Sequence, residues 1–361
     1  MYKVFFFYCY KDKYYYSTPI INNFKILHQM KKQFLEKNIE MTSILEFLPM
    51  YKDNDNLLHD ISVEKLHEEL MKAMDNIMLT LPDISSKYEK IIFLGFHPVS
   101  LPPFIKYYKE LKKYANIKFI LWHDDLHAFF KTSESRKKLD YADHIITPSP
   151  IFFENQYPEY LSKTSFFFYS IDFTVNDQFY VKWEDRQNKI ILSGCVSKGY
   201  PIRAIIRNEI EKNKKFKEIS YFLEKPRVKE YEYNGDKVLP YGNNYYKELG
   251  KFKGAFFGYY LYPKNFNLAK IIEILSMGCI GFFEYSPLLE KELGLIAMKH
   301  YVPCTNKEDG KLITDVEYYK YYLKNREGKG KIIAENGRDY VRKNFSNQNG
   351  FENYVRILNN I

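Results

Sequence analysis

Short apolar runs alternate with stretches of helical spacing along most of this chain. Residues 2–9 (YKVFFFYC) read as a strand, and residues 19–37 carry helical spacing through Leu27, Met30, Phe34 and Leu35. A second strand is expected over 42–48. An amphipathic helix follows over 63–81, with Leu66, Leu70, Ala73, Met74 and Met78 on one side. KIIFLGF (90–96) is a buried strand, Pro102–Pro103 open a helix to about 114, and IKFILW (117–122), HIITPS (144–149) and SFFFYS (165–170) are further strands. Strands separated by helices argue for a parallel sheet covered by helices.

The polar stretch 171–188 interrupts this rhythm and reads as a linker. The alternation then restarts. Strands are expected at 189–194, 219–223, 254–260, 279–284 and 301–303. Helices are expected at 201–213, 243–250 and 267–278, then through 328–344 and 347–360. Two α/β domains result, over 1–175 and 186–345, with 346–361 as a terminal helix able to cross back to the first.

The chain has 361 residues, 45% hydrophobic and 27% charged, which excludes a disordered chain and a small disulfide scaffold. Its four cysteines are far apart with no CxxC pair, as expected for reduced, buried thiols. No run approaches the roughly 18 apolar residues of a membrane helix, and the first strand lacks a small-residue cleavage site. A cytoplasmic protein without a transmembrane segment is the expectation. The net charge of +9 favours anionic partners but is thinly spread. Aromatic residues, at 18%, are unusually frequent.

Three stretches carry the candidate chemistry. In NLAKIIEILSMGCIGFFEY (267–285) a helix feeds a glycine turn and a buried strand. Lys270 and Glu273 share a face, with Asn267 one turn earlier and Gly278 at the helix end. Read alone, this is equally an ordinary ion pair on a core helix. In ILSGCVSKGYPIRAIIRNEI (191–210) a strand ends at Gly194, a polar loop holds Ser197 and Lys198, and a helix carrying Arg203 opens at Pro201. Free backbone N–H groups and basic side chains make such a turn a phosphate site; a plain βα turn is the alternative. PYGNNYYKEL (240–249) puts Tyr241 or Tyr245 beside it, either against a base or in the core.

In LWHDDLHAFF (121–130) a buried strand runs straight into His123, Asp124, Asp125 and His127. Ligands of open α/β sheets bind at such strand ends. A base for an acceptor hydroxyl, a two-His-plus-carboxylate metal site and a helix N-cap all remain open for these residues. His97 and Ser100 follow another strand end, with a turn shaped by Pro98 as the alternative reading. Asp143 reads as structural. Asp53-Asn54-Asp55 matches an Asp-x-Asp metal-binding pattern, but two carboxylates in a polar loop are unremarkable and nothing else along the chain supports a metal there.

Residues 267–279 resemble the C-terminal signature of GT-B glycosyltransferases, especially the spore-maturation-type (CgeB-like) branch and the group 1 glycosyl transferases. That pattern runs Asn-x-[Arg/Lys/Ala]-[Arg/Lys]-[Val/Ile]-x-Glu-x-[Leu/Pro]-[Ala/Ser]-x-Gly, matched here from Asn267 through Glu273 to Gly278. The Tyr-Pro-x-Arg segment at 200–203 and the Tyr-Gly-x-x-Tyr stretch at 241–245 resemble the same family. The resemblance covers about 190–345 and the first half only by architecture. It implies an α/β fold of two Rossmann-like domains facing across a cleft. It also implies a nucleotide-sugar donor, UDP- or GDP-sugar first, bound by the second domain. Gly194, Ser197, Lys198 and Arg203 would serve the diphosphate, Tyr241 the base, and Asn267, Lys270, Glu273 and Gly278 the rest, with Glu273 on the ribose. The first domain would take a glycan, glycoconjugate or small-molecule hydroxyl. His97 and Asp124 would line that side, and Asp125, His123 or His127 would act as base. No metal or other cofactor is required under this reading. Asn265 stands where many retaining enzymes carry a second glutamate, so retention is not implied. The competing readings are a DNA-modifying glycosyltransferase, a nucleotide-sugar epimerase and a non-catalytic sugar-binding module, with nucleic acid the less favoured partner.

Overall fold

The computed structural model describes residues 1–7, 26–44, 63–96, 101–122, 139–194, 196, 199–223, 243–259 and 269–361. The chain forms two compact units; the first runs through Phe168 and takes back Gly350–Ile361, and the second spans Tyr169–Asn349.

The first unit is built on six parallel strands: β1 (Tyr2–Phe7), β2 (Ile39–Ser43), β3 (Lys90–Phe96), β4 (Ile117–Trp122), β5 (His144–Thr147) and β6 (Thr164–Phe166). Their spatial order is β2-β1-β3-β4-β5-β6. Ile39, Met41 and Ser43 point inward from β2 with the alternation of a half-buried strand. The strand therefore begins three residues before the stretch the apolar run suggests, in register with Tyr2 of β1. The long helix Val63–Lys87 passes through Pro82, where the pattern alone stops it. Proline costs a helix about 3 kcal/mol. Continuation lets Leu81 and Ile84 extend the buried face that also holds Leu70, Ala73, Met74 and Ile77. Asp143 is structural, accepting from Lys112 Nζ at 2.5 Å and from the Phe119 amide at 2.7 Å. The last helix, Asn347–Asn360, lays Phe351 against Phe34 and Tyr354 against Trp122 and Phe167, ring centroids 4.7, 5.8 and 5.0 Å apart.

The second unit holds five parallel strands: β7 (Gln187–Leu192), β8 (Ser220–Phe222), β9 (Phe252–Phe257), β10 (Ile280–Phe283) and β11 (Val302–Pro303), ordered β11-β10-β9-β7-β8. The strands that follow β7 in sequence thus lie on opposite sides of it, and the chain reverses its winding direction between β7 and β9. Such a reversal opens a crevice at the carboxyl ends of the two strands.

The stretch 171–188, expected as an irregular linker, instead packs into this unit. Asp172 accepts from the Thr174 amide at 3.0 Å and caps the helix Phe173–Phe179. Phe173 and Trp183 are buried, and so is Arg186. Arg186 donates to the carbonyls of Val181, Met277 and Gly278 at 2.6–2.9 Å, while Arg338 donates to the Ser276 carbonyl at 3.0 Å. Both guanidiniums lie on the Tyr180 ring, 5.1 and 3.9 Å from its centroid. The polar residues that suggest a linker therefore satisfy and charge-complement the carboxyl end of the helix Lys270–Ser276.

Candidate functional site

The carboxyl end of β7 is the focus of the second unit's polar chemistry. Immediately after the strand come Ser193, which is buried, and Gly194, with φ +93°. That backbone angle favours glycine. A methyl group at Gly194 would also sit 3.3 Å from Arg203 Nη1 and 3.4 Å from Lys270 Cε. Two cationic side chains therefore approach the turn from different elements, and the missing side chain leaves them room.

Arg203 comes from the first turn of the helix Pro201–Lys212, which Pro201 opens. It is buried, donates from Nε to the Gly258 carbonyl at 2.9 Å, and lies 4.1 Å from the Tyr200 ring centroid and 5.2 Å from that of Phe257. Because Gly258 follows β9, Arg203 spans the crevice between β7 and β9. Lys270 opens the helix Lys270–Ser276, half-buried, with Nζ 4.0 Å over the ring of Tyr245. Tyr245 comes from the helix Asn243–Gly250, and its hydroxyl meets Ser193 Oγ at 2.9 Å. Glu273, one turn along from Lys270, is 3% exposed.

The electrostatics follow from this crowding. Burial lowers the Lys270 ammonium to about 8; Glu273 opposes the shift and Arg203 adds to it. Burial raises the Tyr245 phenol, with the Glu273 carboxylate pushing the same way. The group is thus a glycine turn flanked by one permanent cation, one ammonium that burial lowers to about 8, and one buried carboxylate. Cations at a turn of this kind suit a phosphate or diphosphate, and a carboxylate accepts from hydroxyls.

Of the donor-side residues expected from sequence, Gly194, Arg203, Lys270 and Glu273 are brought together. Gly278 is not among them. It lies beyond the far end of the helix Lys270–Ser276, at φ +67°, and a side chain there would meet Tyr180, Arg338 and Arg186. Ser197, Lys198, Tyr241 and Asn267 lie outside the described residues, as do His97, His123, Asp124, Asp125, His127 and the Asp53-Asn54-Asp55 stretch. Ser193 was not anticipated, although its place between β7 and Gly194 is the available signal. The Arg186–Tyr180–Arg338 stack has no local signal, because its members are distant in sequence.

No family model and no curated protein matches the chain. Solved structures do match it over nearly its full length. A sucrose-phosphate synthase from Thermosynechococcus elongatus aligns at TM-score 0.55 and 11% identity, covering 99% of this chain and 98% of that one. Anabaena Alr3699/HepE in complex with UDP-glucose aligns at 0.56 and 9%, covering 99% and 100%. An alpha-glucosyltransferase in complex with UDP and a 13-mer DNA aligns at 0.60 and 12%, covering 99% of each. The fold is GT-B. In GT-B terms the two parallel sheets are the two Rossmann-like domains. At such identities the likeness is one of fold. No helix among the described residues is long and apolar enough to cross a membrane.

Proposed function

We propose that the protein is a glycosyltransferase that moves a sugar from a nucleotide-sugar to an acceptor hydroxyl. The observation that carries the reading is the convergence of Gly194, Arg203, Lys270 and Glu273 at the crevice between β7 and β9. In the proposed arrangement Arg203 and Lys270 hold the donor diphosphate, with Ser197 and Lys198 from the adjoining sequence. Glu273 accepts from the ribose hydroxyls, and Tyr245 or Tyr241 lies against the base. Charge develops on the departing nucleoside diphosphate as the glycosidic bond breaks, and fixed cations stabilise it without reorganisation. The first unit takes the acceptor, with Asp125, His123 or His127 as base and His97 and Asp124 beside it. The spore-maturation-type branch is supported by the 267–279 pattern. A UDP-sugar leads among donors because two of the similar structures carry UDP or UDP-glucose.

A panel of UDP- and GDP-sugars in thermal-shift and hydrolysis assays tests the reading. One donor should stabilise the protein by RT ln(1 + [L]/Kd). Glu273→Ala should lose most of that stabilisation, and full donor affinity in this variant would contradict the site. Product from donor alone, without acceptor, would identify an epimerase, and binding without turnover would identify a sugar-binding module. Salt-sensitive transfer to DNA would identify a nucleic-acid acceptor, a possibility raised by the DNA present in the alpha-glucosyltransferase structure.

A further inference from the structure

The Lys270 ammonium is the adjustable charge in a site whose other charges are fixed. Four features surround it. Gly194 removes any side chain between Lys270 and Arg203. Arg203, on the helix Pro201–Lys212, is held by the Gly258 carbonyl and stacked on Tyr200, and its guanidinium stays charged at any ordinary pH. Tyr245, on the helix Asn243–Gly250, covers one side of the ammonium and remains a neutral phenol. Glu273, on the lysine's own helix, is the carboxylate that favours the charged form. These are the titratable and charged groups facing Lys270 among the described residues. Without a ligand, Glu273 is the carboxylate that favours the lysine proton, and burial and Arg203 both work against it. An entering diphosphate adds negative charge next to both cations and reverses that balance.

We propose that Lys270 takes up a proton when a nucleoside diphosphate enters this site and releases it when the nucleotide leaves. The inference rests on the reading of the cluster as a donor-diphosphate site. The balance is simple: a proton from buffer forms an N–H bond with the Nζ lone pair, and no other bond changes. In the empty site Lys270 titrates near about 8, so about half of the molecules lack the proton at that pH. Binding of the anion raises that value. Between the free and bound values affinity then falls with rising pH, by up to about tenfold per pH unit. At about pH 7 the lysine is already mostly charged and its contribution to the pH slope vanishes; below that the phosphate's own protonation takes over.

UDP is the probe, with its phosphate fully ionised above about pH 7 because the second phosphate ionisation lies near about 6. Calorimetric titration at about pH 8, in buffers of different ionisation enthalpy, counts protons directly. The wild-type protein should take up about half a proton per UDP, and Kd should rise several-fold between about pH 7 and about pH 9. Lys270→Arg, always charged, should bind UDP with no proton uptake and no pH slope. Lys270→Met should bind more weakly and equally without slope, which keeps the test intact if arginine does not fit. UDP binding without proton uptake in the wild type, or a slope retained in either variant, would overturn the inference while leaving the donor-site reading standing. Failure of UDP and GDP to bind at any pH would overturn both.

Discussion

Gly194→Ala separates a ligand-binding glycine from a merely structural one, because Gly278 supplies a matched control. Both have positive φ, +93° and +67°, and both lie in the second unit. Alanine at such angles costs about 1–3 kcal/mol, outweighing the entropy it removes from the unfolded chain. For a unit of roughly 180 residues this lowers Tm by about 2–4 °C per kcal/mol. The neighbours then distinguish the two sites. At Gly194 the new methyl meets Arg203 Nη1 at 3.3 Å and Lys270 Cε at 3.4 Å. Arg203 must yield by a few tenths of an ångström, in the direction that spoils its grip on an anion, while Lys270 comes into ordinary contact with the methyl. A hydrogen bond to a charged group contributes about 1.5–3 kcal/mol, so its partial loss should weaken UDP binding by about 1–2 kcal/mol, or roughly 5- to 30-fold. At Gly278 the methyl meets Tyr180 at 3.0 Å and Arg338 Cδ at 3.3 Å, at the opposite end of the helix. Gly278→Ala should therefore lower Tm by a similar amount and leave UDP affinity within about twofold. Differential scanning calorimetry and UDP titration at a fixed temperature below both transitions provide the two readouts. Unchanged UDP affinity in Gly194→Ala, or an equal loss in both variants, would refute the assignment of Gly194 to a donor site.

Three further outcomes follow from the geometry. Arg186→Met should leave the buried carbonyls of Met277 and Gly278 without this donor, at about 1–3 kcal/mol each, and the part-buried Val181 carbonyl as well, so urea unfolding should show a loss of at least about 2 kcal/mol. Burial lowers His300 and His144 to about 4, so the unfolded chain binds their protons first. Their contribution to stability is complete above about pH 6.5 and should decline by about 1.4 kcal/mol per pH unit for each histidine as pH falls towards about 4. Either His→Asn variant should reduce that slope in urea titrations by about one proton, and an unchanged slope would show that the ring is not buried in its neutral form. Asp177→Asn, by contrast, removes the half-exposed partner of Arg338 and Arg342 and should cost less than about 1 kcal/mol, falling further in salt.

Periodicity made the sheet framework legible because parallel strands buried on both faces leave continuous apolar runs. KIIFLGF and IKFILW became β3 and β4 within a residue, and the helices at 243–250 and 347–360 fell where their spacing put them. The grouping of Gly194, Arg203, Lys270 and Glu273 rests on the family resemblance of 191–210 and 267–279, while Gly194 and Pro201 also mark a strand-to-helix junction locally. Less could be read where the deciding interactions join distant residues. Arg186 reads as one more charge in a polar linker because two of the three carbonyls it satisfies, those of Met277 and Gly278, lie about 90 residues away. The passage through Pro82 was hidden similarly: a local rule stops the helix, whereas burial of Leu81 and Ile84 in the first unit's core continues it.

The aromatic excess bears on how the site is held. Phe5, Phe93 and Phe119 are direct partners across β1, β3 and β4, and their rings stack with centroids 5.3 and 5.7 Å apart at 25° and 21°. In the second unit Phe256 and Phe282 are in register across β9 and β10, and Tyr319 packs edge-on against both at 5.5 and 5.2 Å. Wide, flat side chains repeated along parallel strands fill the space between sheet and helices with few rotatable bonds, so the strand ends are fixed from below. The same chemistry continues at the crevice between β7 and β9, where Tyr200, Phe257 and Tyr245 become surfaces for Arg203 and Lys270. Cation–π contact orients the two cations without cancelling their charge, as a second carboxylate would. An aromatic cradle thus leaves more net positive charge for an anionic ligand than an ion-paired cradle of the same rigidity. On that argument Tyr245→Leu, which removes the ring face and the hydroxyl that meets Ser193, should reduce UDP affinity as well as stability, whereas Phe93→Leu should lower stability and leave UDP affinity alone.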